Sequence, residues 1–222
     1  MQGMPGMLGV SGHAAGHGPQ LLPEWVALAW SALFLLVAAS HLRHMAHSRG
    51  QRRPWHSCHV LMALGMAFMY LPAQLDPVAA PAGFWRIVFA CAGVLTASWS
   101  IAGVGRNATL IWLLTSIDLG AMLYMWAGPS RASAAAVGWL VVSYLLAEAA
   151  VWGLDLYRRL DGSSPLVSWR LLPGPEGATV IRAVSGGGGG GATLLGELDI
   201  SISMVTMTVG MAYMVAAMQL MH

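Results

Sequence analysis

Residues 199–221, DISISMVTMTVGMAYMVAAMQLM, decide how the chain is read. The run has one charged residue, Asp199 at its start, and reaches the ~20 mostly apolar residues that a helix needs to cross a bilayer. It is also patterned. Met204, Met207, Met211, Met214, Met218 and Met221 follow one another at alternating steps of three and four, which places their thioethers on one helical face. A membrane helix carrying a sulfur ladder is the unit from which the remainder is built.

Five more segments satisfy the same length and hydropathy requirement: about 25–43, 57–72, 84–105, 108–127 and 134–156. The expected fold is therefore all-α, a polytopic bundle of six transmembrane helices in the cell membrane. Composition agrees, since the 222 residues are 57% hydrophobic and 9% charged, with a mean hydropathy of +0.63. A soluble domain of this size could not keep that balance in water, so the lipid bilayer is the expected surrounding. All the basic residues are Arg, and they sit between apolar runs with a net charge of only +2, which excludes a nucleic-acid surface.

Orientation follows from the excess of positive charge in cytoplasmic loops. Arg43, Arg49, Arg52 and Arg53 follow the first helix, Arg106 the third, and Arg158, Arg159, Arg170 and Arg182 the fifth; the other side receives Arg86 and Arg131. Both termini are thus expected outside. Residues 1–20 read as a flexible outer tail with Met4, Met7, His13 and His17, and they lack the positive start of a secretory signal. Residues 21–157 hold helices one to five, 158–198 a flexible cytoplasmic linker with the run Gly186 to Gly191, and 199–222 the last helix. Pro23 and Glu24 suit the first turn of helix one, Leu71 and Pro72 end helix two, and Arg106 with Asn107 makes a tight hairpin. Trp25, Trp55, Trp85 and Trp126 read as interface anchors, and Cys58 and Cys91 as free thiols.

The methionines separate the helices into two kinds. Helices one, three and five have none within their apolar cores, whereas helix two has Met62, Met66 and Met69 and helix four has Met122 and Met125. Imidazoles precede the stripe of helix two at His56 and His59, and His41 and His44 lie at the same depth on helix one. Thioether is a soft ligand and imidazole a borderline one, a combination suited to Cu(I). Weak sites in series would let an ion step along them. On this reading copper binds at an inner site of His41, His44, His56 and His59, and the faces with Met62, Met66, Met69, Met122, Met125, Met204, Met207, Met211 and Met214 form the path outward. The opposing reading is that Met fills gaps between helices, and that loop histidines such as His47 add only interfacial charge.

Asp118 and Glu148 fall in mid-helix, where an ionised group is costly, so both must face protein or water. Asp118 lies below Met122 and Met125 on one face and joins the candidate metal path; a proton relay, or a hydrogen bond to Thr115 or Tyr144, are the other roles open to these acids. Asp199 reads as the favourable anion at a helix start. Ser201, Ser203, Thr206 and Thr208 suggest interhelical hydrogen bonds. No catalytic pattern is present: the glycine run lacks the Lys and Ser/Thr of a phosphate loop, and no nucleophile elbow or zinc-protease motif occurs.

His59-Val-Leu-Met62-Ala-Leu-Gly-Met66-Ala-Phe-Met69-Tyr-Leu-Pro72, after an Arg-rich loop, and Met207-Thr-Val-Gly-Met211-Ala-Tyr-Met214 near the end together resemble an actinobacterial integral membrane family catalogued as domain of unknown function five-one-three-four. The resemblance implies a helical membrane protein and brings no activity with it. Three functions remain open. One is copper transport, delivery or homeostasis; the second is a b-type cytochrome, with haem b held by the histidines of helices one and two. The third is a non-catalytic assembly subunit whose Met faces contact a membrane partner or a second copy.

Overall fold

The computed structural model describes residues 23–71, 80–102, 109–128, 134–160 and 190–220. Within them the protein is all-α, with six helices: α1 (Glu24–His47), α2 (Arg52–Met69), α3 (Ala82–Ile101), α4 (Thr109–Ala127), α5 (Ala134–Leu160) and α6 (Gly190–Leu220). Four contain stretches long and apolar enough to cross a membrane, Glu24–His47, Ala82–Ile101, Ala135–Arg158 and Leu198–Leu220, and α4 adds the shorter apolar run Ile111–Ala127. The first turns of α2 carry Arg52, Arg53, His56 and His59, which lowers its hydropathy below that of its neighbours.

Hydropathy places the helix ends differently from the backbone. A helix continues past its apolar stretch while backbone hydrogen bonds can still form, so α1 runs on to His47, α2 begins at Arg52, and α5 reaches Leu160. Likewise α6 starts at Gly190, within the segment expected as linker. Pro23 is the N-cap of α1 and Glu24 its first residue, as their chemistry suggests. The outer tail, Pro72, the Arg106–Asn107 hairpin, most of the linker and Met221 lie outside the described residues.

Sequential helices pack pairwise as α1/α2, α3/α4 and α5/α6. Each pair is antiparallel: Ser31 meets Ala67 while His41 meets His56, Thr96 meets Ser116 while Trp99 meets Trp112, and Gly138 meets Gln219 while Asp155 meets Ser201. The three hairpins then join through α2, α4 and α6, each of which touches the other two, and α1 also touches α6. The sulfur-bearing helices are therefore central. The face turned away is apolar, with Leu36 68%, Leu95 68% and Leu140 72% exposed. Such a surface is stable against acyl chains and unstable against water.

Close approaches fix the join. Gly65 of α2 faces α3 and α4, and a methyl there would lie 2.5 Å from Phe89 Cζ and 3.0 Å from Met122 Cε. Phe34 likewise occupies the space that a side chain at Gly210 would need. Phe34 also packs with Trp30 and Tyr70, ring centroids 5.5–5.8 Å apart, and the Tyr70 hydroxyl donates to Gly210 O at 3.1 Å. Trp55 and Trp85, expected at the interface, are instead buried, because each lies about a turn inside its helix and faces a neighbour. Of these four, only Trp25, 73% exposed, has an outward position suited to an anchor; Trp126 is half-buried and stacks on Trp85 at 5.6 Å.

Gly65→Ala is expected to destabilise the bundle by about 1–3 kcal/mol, the usual cost of overpacking a filled core. Thermal unfolding of the detergent-solubilised protein checks this, and adding Phe89→Leu should recover part of the loss.

Candidate functional site at the histidine rungs

His41 and His44 stand one turn apart on α1, and His56 and His59 one turn apart on α2. Because the helices are antiparallel, the imidazoles meet as two rungs: His41 stacks on His59, centroids 5.2 Å apart and planes at 22°, and His44 on His56, at 5.5 Å and 17°. A diagonal hydrogen bond links the rungs, His41 Nδ1 to His56 Nδ1 at 3.1 Å. Trp55 closes the side, its ring 4.0 Å from that of His59. His41, His56 and His59 are buried, and His44 keeps 20% of its side chain exposed.

Hydrogen bonding fixes the proton of His59. His59 Nδ1 lies 2.8 Å from Trp55 O, which can only accept, so Nδ1 carries the proton and Nε2 keeps its lone pair. His44 Nε2 faces Asp199 Oδ2 at 3.1 Å and donates to it. In the His41–His56 bond one Nδ1 donates; when it is that of His41, the Nε2 of His41 is also an acceptor. Among the described residues the buried Nε2 atoms of His41 and His59 have no hydrogen-bond partner.

Asp199 is not at a helix start, since α6 begins well before it. Its Oδ2 collects donors from α1 instead: Ser40 Oγ at 2.6 Å, Arg43 at 3.1 Å and His44. His47 bonds to Arg43 O of its own helix and takes no part, in keeping with a surface residue.

The methionine faces converge. Met62, Met66, Met122, Met125, Met207 and Met211 are buried in one core, with Met69, Met214 and Met218 packed at its edge. Met204 sits nearer the Arg-rich end with Trp55, Trp112, Trp152 and Ile200, and Cys58 touches both clusters. Cys58 and Cys91 are free thiols.

Asp118 is buried and accepts from the Tyr144 hydroxyl at 3.0 Å, while Thr115 bonds within α4. Glu148 Oε1 accepts from Trp152 Nε1 at 3.4 Å, and its Oε2 is buried with no hydrogen-bond partner among the described residues.

A model described as Domain of unknown function (DUF5134) matches residues 51–218, three quarters of the chain. The chain belongs to this family. Neither a curated protein nor a solved structure matches it. The DUF5134 region takes in α2 to α5 and nearly all of α6, hence His56, His59, the methionine faces and Asp118; His41 and His44 precede it and complete the rungs from α1.

Among the described residues no three His, Cys, Asp or Glu side chains are arranged to hold one metal ion. The reason lies in the rungs: stacked imidazoles present faces to one another, not nitrogens to a common point. Sequence reasoning missed Asp155, fully buried on α5 and bonded by Ser201 Oγ at 3.4 Å. Its place near the end of the expected fifth helix disguised it as a boundary residue. The other α6 hydroxyls described by bonds, Ser203 and Thr208, serve their own helix, each donating to the carbonyl four residues back, as Ser and Thr commonly do in apolar helices.

Tyr144→Phe removes the hydroxyl that reaches Asp118, and should lower stability by about 1–3 kcal/mol by depriving a buried acid of a donor. Its unfolding midpoint in detergent, compared with that of an exposed control such as Tyr157→Phe, tests the point.

Proposed function

We propose that this protein is a six-span membrane protein with both termini outside, whose interior binds Cu(I) for transport, delivery or homeostasis. The observation that carries the reading is the pair of buried, unpartnered Nε2 atoms on His41 and His59. Buried nitrogens of this kind call for a missing partner, and a lone pair aimed into protein is a ligand for a proton, a water or a metal ion. Their environment selects among these. Met62 and Met66 follow His59 on the same face of α2, and the thioethers of α4 and α6 complete a sulfur-rich interior. Imidazole with thioether favours Cu(I) over hard cations, and Cu(I) accepts the low coordination number that a single imidazole with neighbouring thioethers provides.

The chain's own groups prepare the site. Trp55 O holds His59 in the tautomer that leaves Nε2 free to ligate, and the bond to His56 does the same for His41 when His41 Nδ1 is the donor. Asp118, on the α4 face of Met122 and Met125, supplies the carboxyl that offsets the ion's charge. The haem reading is less well supported, because a porphyrin between His41 and His59 would require stacked rings 5.2 Å apart to separate and turn. An assembly subunit remains consistent with the exposed apolar faces, and predicts that Met→Leu exchange leaves copper handling unaltered.

The test is Cu(I) binding by detergent-purified full-length protein, measured against a chromophoric chelator. Tight binding is expected, lost in His59→Ala and His41→Ala, and weakened in the combined Met62→Leu, Met66→Leu, Met211→Leu variant. Protein with no measurable Cu(I) affinity would sink the reading, and a Soret band in the purified protein would replace it with haem.

A further inference from the structure

We infer that the inner end of the α3/α4 hairpin is a gate, with Trp112 as its plug, through which the methionine core opens toward the Arg-rich side. The inference concerns the route into the bundle and holds for whatever solute the interior takes. Trp55 of α2, Trp112 of α4, Trp152 of α5, and Ile200 and Met204 of α6 form one buried cluster, none more than 9% exposed. All three hairpins contribute to it. On each of these helices the cluster residue lies on the Arg-rich side of those in the main core: Trp55 before Met62, Trp112 before Leu119, Trp152 beyond Leu145, and Met204 before Met207. The indoles therefore close the core at that end, and His59, one turn further in than Trp55, has its ring 4.0 Å from the indole.

Packing is extensive within each hairpin and slight between them, so rocking of one hairpin against the others is the softest motion the fold offers. The contacts between hairpins decide where it occurs. From mid-depth outward α3/α4 is pinned. Phe89 and Met122 fill the space beside Gly65, the Tyr144 hydroxyl donates to Asp118 at 3.0 Å, and Gln219 Nε2 donates to the Tyr124 hydroxyl at 3.0 Å. At the Arg-rich end the other two hairpins are tied to each other by Ser40 and His44 on Asp199. There α3/α4 is held by the indole packing and by Trp112 Nε1, which reaches Gln51 Oε1 at 3.5 Å, longer than the usual N–H···O range. The hairpin thus pivots on its outer half, and Trp112 leaves the cluster as its inner end swings away.

Cys58 reports the opening, because it touches both the indole cluster and the methionine core. Full-length protein carrying Cys91→Ser, which leaves a single thiol, is purified in detergent and treated with a water-soluble methanethiosulfonate, and labelling of Cys58 is followed by mass spectrometry. This parent should label slowly while folded. Trp112→Ala should label faster by roughly tenfold or more, since truncating a buried indole removes much of the packing that keeps the cluster shut. Trp112→Phe keeps an aromatic ring, guards against a folding defect in the alanine variant, and should fall between the two. Gln51→Leu leaves every indole in place and should label roughly three- to fivefold faster, the effect of one neutral hydrogen bond on an opening equilibrium. Trp85→Ala, which removes a buried indole from the outer end, should label at the parent rate and separates gating from general loosening.

Parent rates in both Trp112 variants, or an equal acceleration in Trp85→Ala, would overturn the gate. A parent rate in Gln51→Leu would overturn it as well, by making the tryptophans a fixed wall. None of these readouts involves copper, so a protein that binds no Cu(I) would end the proposed function and leave the gate standing.

Discussion

Lipid offers no hydrogen bonds, and that constraint organises the bundle. Every polar side chain within the apolar length of a helix must find its partner inside the protein or accept a cost of several kcal/mol on roughly the scale of an unsatisfied group in hydrocarbon. The protein turns its leucines outward and gathers its imidazoles, acids and hydroxyls inward. Asp199 with Ser40, Arg43 and His44, the two histidine rungs, and Asp118 with Tyr144 are three separate answers to the same demand. Two of them also hold together helices from different hairpins.

The hydrophobic effect contributes little to helix association within a bilayer, so close packing and polar contacts must do so. Gly65 and Gly210 let aromatic rings reach the backbone of α2 and α6, and the Tyr70 hydroxyl ties α2 to α6. Methionine fits this setting for two reasons. Its flexible side chain fills an irregular junction of three helices, and its sulfur provides the one soft ligand an apolar interior can hold in quantity without charge. Packing and metal binding are therefore compatible roles for the same residues, and the buried histidine nitrogens at the foot of the methionine core are what favour the second.

The histidine rungs illustrate how far pattern reading extends. Spacing placed His41, His44, His56 and His59 at one depth, and they do meet. Spacing could not reveal that antiparallel packing would stack them, because ring orientation depends on side-chain torsions and on neighbours such as Trp55. Asp199 is similar. Its position before an apolar run suggested a helix start, but backbone hydrogen bonding carried α6 back to Gly190 and left the carboxylate facing α1. Asp118 was legible as a buried acid, and Tyr144 as one of its possible partners, since both lie in mid-helix.

The sequence by itself determined that the chain is helical, apolar outside and divided into helices with and without sulfur, because length, hydropathy and periodicity are local properties of the chain. Only the tertiary structure decided that α2, α4 and α6 are central, that their methionine faces share one core with the rungs at its foot, and that two imidazole nitrogens are left buried without partners. Those facts depend on how hairpins dock against one another, and docking is set by contacts between residues far apart in sequence.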